Sequence, residues 1–124
     1  MLRSLKLVAV TLAAGFAIAG TVSPVMAAPQ DGNWSVVVVT EKGTCDRAYR
    51  YSVAVANGKV RYQGDTAVNF NGTVESDGAV KVAIRLGEKG ANGTGRLAKD
   101  SGQGTWQGFG NAGECAGYWE AERR

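Results

Sequence analysis

Residues 48–62 read AYRYSVAVANGKVRY, and this stretch decides the fold. Tyr49, Tyr51, Val53 and Val55 occupy alternate positions, with Arg50 and Ser52 between them. Successive side chains of a strand point to opposite faces, so the alternation describes a half-buried strand. Asn57-Gly58 follows, a pair that adopts positive φ readily and signals a type I′ hairpin turn. Val60 and Tyr62 then resume the apolar face, with Lys59 and Arg61 opposite.

The same period runs through the rest of the chain. Upstream, Trp34, Val36 and Val38 share one face of a first strand. Downstream, Val68, Phe70, Gly72 and Val74 mark a fourth, and Val80, Val82, Ile84 and Leu86 a fifth after the turn at Ser76-Asp77-Gly78. Gly93, Gly95 and Leu97 mark a sixth, Gly104 and Trp106 a seventh, and Cys115, Gly117, Trp119 and Ala121 an eighth. Valine far outnumbers leucine and isoleucine, and no useful length of chain carries a helical period. Strands this close together leave no room for helical crossovers, so they pair as antiparallel hairpins. The expected fold is an all-β, small antiparallel up-and-down barrel of about eight strands; a β-sandwich is the alternative.

Strand parity supports the barrel. Cys45 lies just before the second strand and Cys115 opens the eighth. Both strands run in the same direction, so both cysteines reach the same end. With eight strands the last is antiparallel to the first and closure places them side by side. An isolated cysteine pair in an exported chain is most simply one disulfide, the alternative being two free thiols. A loop of that length contributes roughly 4 kcal/mol in the chain-entropy model. Glycines on the inward face beside Trp106 and Trp119 let a tapering interior fill around the rings.

The export assignment rests on the N-terminus. Arg3 and Lys6 precede the apolar run LVAVTLAAGFAIAG (residues 7–20), and Val25-Met26-Ala27 supplies a small-residue cleavage site. The run is shorter than the ~20 residues that span a bilayer. Residues 1–27 therefore read as a signal peptide and residues 28–124 as a single all-β domain. Arg3 and Lys6 account for two of the 14 basic residues, so the remainder is nearly balanced against 11 acidic ones. That balance points away from nucleic acid, and no segment after the signal is apolar enough to span a membrane.

The chain has no histidine, which removes the usual general base and the commonest metal ligand. No nucleophile–base pair stands out, so the protein reads as a non-enzyme with no catalytic residue, metal or cofactor. The Gly93–Arg96 and Gly102–Gly104 runs lack the strand–loop–helix setting of a phosphate loop. A cation site from Asp31, Asp46 and Glu114 has no spacing signature. Arg50, Lys59 and Arg61 should share an outer face.

Two binding modes are expected, protein binding foremost and a small-ligand carrier as the alternative. The first is a protein-binding surface on the disulfide-end loops, Glu41–Arg47 and Phe109–Glu114, with the N-terminal segment. Its residues would be Arg47, Glu114 and Phe109, the last an exposed anchor in a Gly-rich loop outside any strand. The second is a pocket at the barrel mouth for a small apolar ligand, walled by Trp34, Tyr49, Tyr51 and Trp119.

The runs Gly102–Gly108 and Cys115–Arg124, with Asp46–Tyr51, resemble a pattern in small exported proteins of rhizobia-like bacteria. The resemblance implies a Gram-negative envelope location, secreted or periplasmic, and no particular activity. The architecture is similar to small periplasmic eight-stranded barrels, among them bacterial metalloprotease inhibitors with one disulfide and the lipocalin and avidin group. Asp31-Gly32-Asn33-Trp34 is similar to the Gly-x-Trp that opens the first strand of many of these. The chain as a whole reads as a binding module whose partner is a protein such as an envelope hydrolase or, alternatively, a small apolar ligand.

Overall fold

A computed structural model describes Gly15, residues 29–65 and residues 67–124. The signal-peptide reading falls on residues outside these, Gly15 excepted. The strands are β1 (Gly32–Lys42), β2 (Ala48–Ala56), β3 (Lys59–Tyr62) and β4 (Asn69–Val74), then β5 (Ala79–Leu86), β6 (Lys89–Leu97), β7 (Ser101–Gly110) and β8 (Gly113–Arg123). Each pairs antiparallel with its neighbour, and β8 returns to β1 to close the barrel. The sandwich alternative is set aside by that closure.

Cys45 and Cys115 form the disulfide, with Cα atoms 6.1 Å apart and a sequence separation of 70. It joins the β1–β2 turn to the start of β8. Thr40, itself buried, stitches the same turn: its hydroxyl donates to the Asp46 carbonyl at 2.6 Å and its amide donates to the Arg47 carbonyl at 2.9 Å. At this end β1 carries a register shift against β8 between Thr40 and Lys42. Asn57, with φ 53°, is the one non-glycine residue at positive φ among the described residues, and Gly58 follows at φ 74°, as the hairpin signal requires.

The interior is packed by rings lying on glycines. Trp106 faces Gly93 on β6 and Gly117 on β8, while Trp119 faces Gly104. A methyl group at Gly104 would run into the Thr94 carbonyl oxygen and the Trp119 ring, and one at Gly117 into the Val39 carbonyl. Bare backbone there lets each indole lie close enough for its N–H to reach a carbonyl. Trp106 donates to Val39 at 3.0 Å and Trp119 to Thr94 at 3.1 Å. A buried indole N–H left unpaired would cost about 1–3 kcal/mol.

The other end is closed. Trp34 is 1 % exposed and donates to the Gln30 carbonyl at 2.9 Å. The Arg123 guanidinium lies 4.6 Å from the Trp34 ring centre and donates to the Pro29, Asp31 and Lys99 carbonyls. The segment before β1 is thereby strapped across the barrel floor.

The strand boundaries differ from the sequence reading in one consequential place. β6 begins at Lys89 and β7 runs to Gly110, so the β5–β6 and β7–β8 connections are two-residue turns. Phe109 therefore belongs to a strand, paired with Gly90 and Glu114. The flanking Gly108 and Gly110 hide the alternation by which that part of the strand would be read.

Candidate functional site

A cavity of about 200 Å³ occupies the barrel above the tryptophans. Its floor is formed by Trp34, Trp119 and the valines of β2, β3 and β5, and it opens at the disulfide end between Tyr49, Leu86 and Lys89. The alternation of the strands explains most of the lining: the lining positions of β1 to β5 are Val, Ile, Leu or aromatic, and β6 adds Ala91, Gly93 and Leu97.

One wall is aromatic. Tyr49 and Tyr51 stand 6.4 Å apart on β2, Tyr51 meets Tyr62 edge-on at 5.5 Å, and Tyr62 stacks on Phe70 of β4 at 5.9 Å. Such spacings are those of stabilising ring pairs. Burial pushes the Tyr51 phenol above its ordinary ionisation range, and the neighbouring Tyr49 and Tyr62 phenols add to the shift. The Tyr49 hydroxyl accepts the Asp46 amide at 3.2 Å. With all three indole N–H groups bonded to backbone carbonyls, the depth of the cavity offers no free donor from the tryptophans.

All four residues read from the sequence as pocket walls, Trp34, Tyr49, Tyr51 and Trp119, line this one cavity. The three proposed as a protein-binding surface lie at the same end, but not as expected. Glu114 and Phe109 face each other across β7 and β8, while Arg47 sits exposed in the β1–β2 turn. Phe109 is 41 % exposed. The register that pairs it with Gly90 turns its ring outward, 5.5 Å from the Arg85 guanidinium, and the residue also borders the cavity mouth. It is a strand residue partly covered by a cation–π contact, not the free tip of a loop.

Asp31 lies at the closed end and Asp46 and Glu114 at the open one, so the topology separates the three acids considered as a cation site. No cluster of metal-binding side chains occurs among the described residues. Arg50 and Arg61 are both outward but four β2 positions apart, since Arg61 stands opposite Ala54. Sequence reading missed Lys89, the one charged side chain among those lining the cavity.

A second concavity, about 630 Å³, lies outside the barrel over β6, β7 and β8 and is edged by Asn92, Thr94, Thr105 and Gln107. It is a polar trough along a sheet face and lacks the enclosure that desolvates a ligand. Comparison with protein-family models, curated proteins and solved structures returned no match.

Proposed function

We propose that this protein is an exported β-barrel binding module that holds a small apolar molecule in its mouth. The observation that carries the reading is the interior cavity: apolar throughout its depth, closed by Trp34 below and open at the disulfide end. An eight-stranded barrel can be filled by its own side chains or hold one small ligand, and about 200 Å³ of space favours the second. Export is supported by the disulfide, which persists in oxidising compartments. Among the described residues no helix is long and apolar enough to cross a membrane. The outer face carries Arg50, Lys81, Asn92, Gln103 and Glu120, a polar-out, apolar-in pattern opposite to that of a barrel immersed in lipid.

The test is a titration with benzyl alcohol, read by tryptophan fluorescence. The wild-type protein should give a saturable response, and Val38→Trp, which fills the upper cavity, should remove it. A response that Val38→Trp leaves intact would locate binding elsewhere.

A second reading, docking of a protein such as a hydrolase, draws on the exposed apolar residues Leu86 and Phe109 at the same end. It requires contact through the rim, so Phe109→Ala should weaken partner capture, whereas Val38→Trp, which fills the cavity, should leave capture intact.

A further inference from the structure

We infer that the ligand of the mouth cavity is a small monocarboxylic acid with a single-ring apolar body, its carboxylate held at the rim by Lys89. The inference rests on the cavity reading above and adds the chemistry of the ligand's head.

Lys89 opens β6 and pairs with Leu86 across the two-residue turn Gly87-Glu88. Leu86 continues the inward series Val80, Val82 and Ile84, so its partner Lys89 is also on the interior face, at the last position before solvent. Nothing else lining the cavity is charged. Among the described residues Lys89 makes no ion pair: the two present join Arg96 to Asp77 and Arg123 to Asp100. Its nearest charged neighbours in sequence are Glu88 and Arg85, and neither forms an ion pair with it. Glu88 lies in the turn, and Arg85 is on the outer face against Phe109. A lysine stem can lie along an apolar wall while its ammonium stays at the water boundary.

The remaining polar groups narrow the choice. The three indole N–H groups are already bonded to carbonyls, so a polar ligand group gains nothing by entering deeply. An aromatic wall alone would suit a cation, but the Lys89 ammonium at the entrance repels one. A carboxylate at the rim satisfies the ammonium by a charge-assisted hydrogen bond and leaves the apolar body for the interior. Size sets the body: an apolar cavity of about 150 Å³ takes a benzene ring, so about 200 Å³ accommodates one ring with a short chain.

The test uses hydrocinnamate and its neutral counterpart hydrocinnamyl alcohol, titrated at low ionic strength with tryptophan fluorescence as readout. The wild-type protein should bind the acid about fivefold more tightly than the alcohol, the worth of one rim ion pair. Lys89→Met, which keeps the stem, should bring the acid down to the alcohol's level or below and leave the alcohol unchanged. Ala91→Trp, which blocks the cavity, should abolish both. Equal binding of acid and alcohol that Ala91→Trp still removes would overturn the carboxylate assignment while the cavity reading stands. Absence of saturable binding of either, or binding indifferent to Ala91→Trp, would overturn both. The wild-type comparison of the two probes decides the matter even if Ala91→Trp fails to fold.

Discussion

At Gly93 and Gly104, two inward glycines of adjacent strands, the same substitution should have opposite consequences. A methyl at Gly93 meets its nearest atoms at 3.6 Å, ordinary van der Waals contact, whereas one at Gly104 collides with the Thr94 carbonyl and the Trp119 ring. Gly93→Ala should change stability by less than about 1 kcal/mol, and Gly104→Ala should cost about 3 kcal/mol, the upper range of overpacking. Paired urea melts check this. Tyr51 supplies a second residue-scale prediction. Its phenol is raised above the ordinary value of 10.0, so the neutral form is the one the fold stabilises. That stabilisation is complete below pH 10 and is lost as pH rises through the folded-state value. An ultraviolet titration should show one tyrosine ionising after the others, and Tyr51→Phe should delete that late phase. The alternation that places Tyr49, Tyr51, Trp34 and Trp119 inside was readable in the sequence. Lys89 was not read, because a lysine beside a glycine is taken for solvated surface. The signal was nonetheless present: a two-residue turn after Leu86 forces Leu86 and Lys89 onto one face.

Strand count was the element-scale feature that mattered most. Eight strands put the first beside the last and the two cysteines at one end, and both follow from the turn signals and the period-two pattern. The ends of β6 and β7 were beyond reach, since glycines carry no face preference; hence Phe109 was read as loop. The disulfide ties the β1–β2 turn, beside the register shift, to β8. The double variant Cys45→Ala/Cys115→Ala should lose roughly 4 kcal/mol. At about 4–8 °C per kcal/mol for a domain of this size, the melting temperature should fall by well over 10 °C. Calorimetry of the variant beside the oxidised wild type measures it. At the opposite end Arg123→Met removes the guanidinium over Trp34 and its bonds to the Pro29, Asp31 and Lys99 carbonyls. Hydrogen exchange at the Trp34 indole should accelerate at least tenfold while that of Trp106 is unchanged, because only the floor strap loosens.

For the molecule as a whole, polarity, closure and cavity fit together. Polar residues coat the outside, the rings of Trp106 and Trp119 fill the centre by lying on glycines, and the space left over sits between them and the mouth. The sequence could specify the apolar interior but not whether it was full, since a few tens of Å³ depend on how far each ring sinks onto bare backbone. On this reading a small ring enters that space from the disulfide end. Methyl NMR of the carbon-labelled protein with added hydrocinnamate tests it directly. Saturable shifts are expected at the Val38, Ile84 and Ala91 methyls around the mouth. The methyls of Thr94 and Thr105 on the outer trough should stay still. Shifts confined to that trough, or none at the mouth up to millimolar ligand, would contradict it.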